Sequence, residues 1–302
     1  MAAGQRSSKR QKIERHLFFL FTAPWILGFL IFTLGPLAAS VYISFTDWNM
    51  LTKPNFIGLE NYIYLFSEDK LFWKVLYNTF YYVLIMVPLT TVVSLLVAYL
   101  LNKPVRGIRW FRTIFYLPSV VPVVASSLIF LWILAPKGII NQALAFLGLK
   151  GPAWLLDEKY VKMSFVMLAL WAVGGSMILL LSGMQSISKE LYESAALDGA
   201  SRWRQFCSIT IPMLSPIIFF NLIMGIIGGL QTFSQVYILT KGGPNNASKM
   251  IVPYLYDNAF KYYRMGYASA LSWVLFVIIL AFTLAVLKSS SLWVFYEGEV
   301  RK

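Results

Sequence analysis

Six stretches of the chain, about 17–45, 76–101, 113–135, 163–182, 211–240 and 267–287, each run for 20 residues or more without one Asp, Glu, Lys, Arg or His. A helix needs about 20 mostly apolar residues to cross a bilayer, and inside the hydrocarbon every backbone polar group must be bonded within the protein. The runs therefore predict an all-α polytopic membrane protein with six transmembrane helices. With 58% hydrophobic and 13% charged residues, a soluble fold would leave too much apolar surface in water.

The first run follows Arg6, Lys9, Arg10, Lys12 and Arg15 and so imitates a secretory signal. A signal core spans only about 7 to 15 residues, so a retained span is expected instead. Fifteen of the 26 Lys and Arg residues fall in 1–16, 102–112, 183–210 and 288–302, and eleven in the other three gaps. The positive-inside rule then predicts a cytoplasmic basic N-terminus at 1–16, a six-span domain over 17–288, and a cytoplasmic tail at 289–302. The formal charge of +13 sits in short gaps between spans, with no basic stripe interleaved with stacking aromatics, so it indicates membrane lipid and not nucleic acid.

The chemistry available is sparse. One cysteine, Cys207, and one histidine, His16, exclude an internal disulfide and any cysteine cluster for a metal. Spans without acids, bases or metal ligands give no foothold to an intramembrane enzyme or a proton-coupled secondary transporter. No G-x-x-x-x-G-K-[ST] phosphate loop is present, so energy for uphill transport must come from another polypeptide. No cofactor, metal or catalytic residue is expected on this chain. The spans that carry breaks are the second to fifth, with Pro88, Pro118, Pro122, Gly174, Gly175, Pro212, Pro216, Gly225, Gly228 and Gly229, whereas the last reads as a plain helix. Such breaks fit either close helix packing or a path lined by the middle spans. Between spans, GIINQALAFLGLKGPAWLLD reads as a short interfacial helix and a turn, and KGGPNNASKMIVPYLYDNAFKYY carries tyrosines suited to the headgroup zone.

The segment 183–212 stands apart, with ELYESAALDGASRWRQFCSITIP at its centre. Ser188 can cap a helix whose first turn holds Glu190, Gly199 suits a left-handed turn, and Ser201 can cap a second helix. That second helix places Trp203, Phe206, Cys207 and Thr210 on one face, and the pair is expected to end at Pro212, which opens the fifth span. Two readings fit this helix, turn and helix: an amphipathic element resting on the membrane surface, or a docking element for a soluble partner.

The segment resembles the EAA loop of the inner-membrane permeases of binding-protein-dependent ABC importers. The matching residues are Glu193, Ala195, Asp198, Gly199, Ala200, Ile209, Ile211 and Pro212, with Ser194 where the pattern usually has alanine. The stretches APWILGFLIFTLGPLAASVYISFTDWN, FRTIFYLPSVVPVVASSLIFLWIL, GPAWLLD and LTKGGPNNAS are similar to the maltose-type carbohydrate permeases, so nearly the whole chain is covered. The resemblance implies a type I ABC importer permease fold in a bacterial or archaeal cytoplasmic membrane. It implies a second homologous permease subunit as heterodimer partner, two ATP-binding subunits that carry ATP and Mg, and an extracytoplasmic solute-binding protein. It also implies that 183–212 is the coupling loop, with Glu190, Glu193, Ala195, Ala196, Leu197, Asp198, Gly199, Ala200, Phe206, Ile209 and Pro212 as the residues that meet an ATPase subunit.

Uncharged spans suit a neutral sugar, which needs amides, hydroxyls and flat apolar faces. On the fifth span Asn221, Gly225, Gly228, Thr232 and Gln235 follow steps of one helical face, and the resemblance implies that Gln231 and Thr232 stand where the maltose-type permeases contact sugar. Ser119, Trp171 and Ser176 of the third and fourth spans are candidates to complete the site. Each of these also fits a bond to a neighbouring helix. A glycerol-phosphate or glycerophosphodiester permease of the same subfamily is the alternative, and it would need cations near the site. A secondary transporter or channel is disfavoured by the EAA pattern.

Overall fold

A computed structural model describes residues 2–295, without the side chains of 2–13, 15 and 16. The basic side chains of the expected N-terminal segment, that of His16, and the last seven residues of the 289–302 tail lie outside the described residues. The chain forms two compact units, one of 1–64 with 258–273 and one of 65–257 with 274–302.

In the first unit α1 (Ala2–Phe29) passes through a π-helical turn, Leu30–Leu34, into α2 (Gly35–Ser44). The chain then makes a short antiparallel pair, β1 (Thr46–Asp47) with β2 (Asn55–Phe56), and enters α3 (Glu60–Ser67). Asn61 at the start of α3 is buried and donates its amide to Ser44 O at 2.9 Å and Thr46 O at 3.0 Å, satisfying carbonyls that the end of α2 leaves open. Gly266 donates to Trp48 O and lies so close to Thr46 O that a Cβ there would collide with it.

The second unit is built around α4 (Lys70–Leu101), started by Asp69, whose carboxylate accepts from the Leu71 and Phe72 amides at 3.0 Å. At 32 residues α4 is about 48 Å long, enough to cross a bilayer with a turn to spare at each end. Helices α5 (Ile108–Val120) and α6 (Val123–Ile133) are bent by 100° at Val121 and Pro122. The cause is local: Pro122 forces Val121 out of the helical region, to ψ 129°. After α7 (Ile139–Phe146), α8 (Val161–Trp171) and α9 (Gly174–Ser186) are bent by 45° at Ala172 and Val173. Then come α10 (Lys189–Leu197), α11 (Arg202–Gln205), a π turn Phe206–Thr210, α12 (Ile211–Leu230), α13 (Ser234–Leu239), α14 (Ile251–Tyr256), a further π turn Asp257–Lys261, and α15 (Met265–Trp293). Among the described residues four continuous helical segments, Leu17–Ser44, Lys70–Leu101, Arg202–Leu230 and Met265–Trp293, are long and apolar enough to span, and counting each bent pair as one broken span brings the number to the expected six.

Three expectations change. The helix pair does not end at Pro212, because α11, the π turn and α12 form one 29-residue helical segment. Proline removes the amide that an α turn would need there, and the wider turn, closed by Ile211 N to Phe206 O, takes its ring without a break. The fifth span is helical only to Leu230 and breaks at 231–233, after the paired Gly228 and Gly229. The segment after Lys241 is largely buried instead of lying among headgroups. Asn78 on α4 donates to Asn246 O and Lys249 O, Thr79 accepts from Ile251 N, and Tyr254 donates to Asp69, so Tyr254 is internal while Tyr262 and Tyr263 remain exposed.

The expected orientation is open to a direct test. In a Cys207→Ser background, an impermeant thiol reagent added to intact cells should label cysteine at Leu59 and Glu158 but not at Leu197, all three exposed positions. Labelling of Leu197→Cys from outside would reverse the topology.

Candidate functional site

Two regions gather the expected functional residues, one at an end of the bundle and one in its middle. At the end, Ser188 and Ser201 accept from the Glu190 and Arg204 amides as N-caps. Gly199 has φ +76°, and the amides of Gly199 and Ala200 donate to Ala196 O and Ala195 O, the paired bonds of a Schellman closure. Gln205 donates its side-chain amide to Ala200 O, which fixes the second helix against the turn.

This hairpin is pinned to the bundle from one side only. Phe206 and Thr210 are buried; the Phe206 ring lies tilted against Tyr99, 4.6 Å between centroids, and Tyr192 and Thr210 share a hydrogen bond of 2.9 Å. Phe206 packs with Ala98, Leu101, Met177, Leu180, Met184, Ile187 and Leu214. The π turn advances the face by one residue, so Trp203 and Cys207 point away and stay exposed. Phe206 therefore anchors the hairpin and is not available to a partner, contrary to the reading that grouped it with the docking residues. Glu190, Glu193, Ala196, Leu197, Asp198 and Gly199 are exposed, Ala195, Ala200, Ile209 and Pro212 are half-buried, and Leu197 is 91% exposed. An apolar side chain that bare, on a hairpin that also exposes Leu191 and Trp203, is the kind a partner covers.

In the middle of the bundle a cavity of about 300 Å³ is lined by Pro118, Ser119, Val121, Val123, Ser126, Leu168, Trp171, Ala172 and Gln235. The 100° bend between α5 and α6 contributes Ser119 and Ser126, the break after α8 contributes Trp171, and the break after α12 turns Gln235 into the same space. Three expected residues, Ser119, Trp171 and Gln235, thus meet. Gly174 makes this possible: a Cβ there would lie 2.5 Å from Phe115 O and 2.8 Å from Tyr116 Cα, so only glycine lets α9 come so close to α5.

The other expected path residues fall elsewhere. Asn221 is buried in α12, with Nδ2 unpartnered, four residues before Gly225, which packs on Val87 of α4. The break at 231–233 interrupts the helix before Thr232 and Gln235, so the five residues do not form one continuous helical stripe. Gln231 is exposed, Thr232 is half-buried and bonds back to Gly228 O, and Ser176 is half-buried outside the cavity lining. Sequence reasoning missed Tyr82, buried on α4, whose hydroxyl lies 3.5 Å from Gln235 Oε1 and also meets Thr232. Its signal was weak, since it sits in NTFYYV among interchangeable aromatics, although Asn78, Tyr82 and Met86 do share one buried face.

Among the described residues no charged side chain lines the cavity. Two hydroxyls, an amide and an indole face match what a sugar presents, hydroxyls on its edges and C–H groups on its faces.

Residues 90–294 match the family model for the binding-protein-dependent transport system inner membrane component. The chain is 40% identical over 302 residues to a probable ABC transporter permease, YesP of Bacillus subtilis (strain 168), covering 99% of this chain and 98% of the relative. It is 35% identical to the lactose transport system permease LacF of Rhizobium radiobacter, over 92% of this chain and 95% of the relative. Its fold is similar to a chain of a bacterial ABC transporter that imports the acidic polysaccharide alginate, with a TM-score of 0.83 and 25% identity over 94% of this chain and 98% of that one.

Proposed function

The chain belongs to the binding-protein-dependent transport system inner membrane family, and from that premise we propose that it is the permease subunit of an ATP-driven importer of neutral sugars or oligosaccharides. The observation that carries the substrate class is the uncharged cavity joining Ser119, Trp171 and Gln235 from three broken spans. A glycerol-phosphate ligand would need a cation there, and the lining has none among the described residues. The solute reaches the chain from an extracytoplasmic binding protein. A second homologous permease completes the path, and two ATP-binding subunits, holding ATP and Mg, drive it. Both termini are cytoplasmic, and the exposed Leu197 and Trp203 side of the hairpin meets an ATPase subunit while Phe206 holds the hairpin to the bundle.

The test is uptake of a labelled sugar by the intact transporter. Gln235→Leu and Ser119→Ala should each remove a net 0.5 to 1.5 kcal/mol, roughly 2- to 10-fold in apparent affinity or rate, with assembly unchanged. Leu280→Ile on α15, outside the cavity lining, should change little. Normal uptake in the Ser119→Ala, Gln235→Leu double variant would remove this cavity from the solute path.

A further inference from the structure

The loop between α6 and α8 folds into a small knob whose tip is apolar and bare. Ala143, Ala145, Phe146, Leu147 and Leu149 are all exposed, Phe146 to 91%. The knob is nevertheless tightly tied. Asn141 donates to Pro136 O and Pro152 O, each at 3.1 Å, and accepts from the Trp154 indole at 2.7 Å, so one amide holds both ends of the loop together. Gln142 donates to Lys137 O at 2.8 Å. The end of α7 is closed within itself: the Leu147, Gly148 and Leu149 amides donate to Ala143 and Leu144, to Ala145, and to Leu144, with Gly148 at φ +75°.

We propose that this knob is a wedge inserted into the lipid interface at the end of the bundle opposite the coupling hairpin, with Phe146, Leu147 and Leu149 reaching the acyl boundary and Lys137 and Lys150 at the headgroup phosphates. Three observations select lipid over a protein partner. A segment entering a low-dielectric layer must leave no amide unpaired, and the tip's amides are all bonded inside the knob. The tip has no acidic side chain from Lys137 to Lys150, and the exposed Lys137 and Lys150 flank its apolar centre with the sign that anionic headgroups attract. The knob also starts from the aromatic level that marks a membrane boundary, with exposed Trp132 before it and the Trp154 and Tyr160 pair, 6.0 Å between centroids, after it. With α7 only eight residues long, about 12 Å, the tip cannot leave that level by much. The inference rests on the membrane-spanning reading of the chain, and the wedge would fix the depth at which the broken spans beside the cavity sit.

The test uses the full chain, Cys207→Ser, carrying one cysteine labelled with an environment-sensitive fluorophore at Phe146, Glu158 or Leu284. It is reconstituted in phosphatidylethanolamine and phosphatidylglycerol vesicles with or without phospholipid brominated near the headgroup end of its chains. At Phe146 quenching by the brominated lipid should exceed that at Glu158 severalfold, and quenching by aqueous iodide should fall below it severalfold. Iodide quenching at Phe146 equal to that at Glu158 overturns the wedge, as does protection from iodide that appears only when the binding protein is added. Leu284, exposed on α15, keeps the two readings apart. If brominated lipid spares Leu284 as well, it is the membrane-spanning reading that has failed.

Discussion

Replacing Gly199 by proline is expected to abolish uptake while leaving the membrane bundle assembled. Gly199 holds φ +76°, proline requires about −65°, and the substitution also deletes the Gly199 amide that donates to Ala196 O. Proline would further push Asp198 toward extended ψ, away from the φ −75°, ψ 4° it now holds. A cost of about 3 kcal/mol or more for the observed turn leaves it populated roughly a hundredfold less. Gly199→Ala meets no neighbour and carries only the left-handed penalty of about 1 kcal/mol, so it should lose roughly fivefold. The bundle survives because the anchoring cluster around Phe206 does not include the turn. Uptake, substrate-stimulated ATP hydrolysis and recovery of the ATPase subunits would be read together. Normal uptake with proline would make the hairpin a membrane-surface element and nothing more.

Lys249→Met should be at least as damaging, but to the fold. Lys249 Nζ and Asp257 Oδ2 are 2.6 Å apart, and both side chains are almost fully buried. Removing one partner of such a pair typically costs 3 to 5 kcal/mol, because the other charge stays in a place that water does not reach. Thermal unfolding in detergent should show a large fall in midpoint and in monodisperse yield. The Lys249→Met, Asp257→Leu double variant should recover much of it, since two apolar groups leave no charge stranded. A single variant as stable as the parent, or a double no better than the single, would show that the pair does not hold this segment.

The span count, the Gly199 turn and the caps at Ser188 and Ser201 were legible because each depends on local chemistry: run length, sign of φ, a side-chain oxygen ahead of two amides. What escaped depends on neighbours. Whether Phe206 or Trp203 faces the bundle turns on one extra residue in a π turn, which leaves no trace in hydrophobic periodicity. The same holds for the break at 231–233, where a regular spacing of polar residues ran across a point at which the helix stops. The polar loop after Lys241 looked like surface because its lysine and aspartate could not be seen to pair. Ser119 and Trp171 stand out in the sequence only as polar or aromatic residues in broken spans and Gln235 only by its spacing, whereas the breaks in three spans are what set them around one cavity.

The uninterrupted helical segment from Arg202 to Leu230 bears on how efficiently fuel is used. Trp203 stands at the end that would be pushed, and the segment stops directly at the break, 231–233, that precedes Gln235 of the cavity. At about 43 Å it is one helical run with no non-helical residue between its ends. A transmission of that kind has no clutch. If the hairpin is where the push arrives, the cavity wall moves on every stroke whether or not a sugar is present, and the only protection against idle turnover is to keep the stroke from starting. Control over wasted ATP would then have to sit outside this chain's inner half, at the step where a loaded binding protein is sensed.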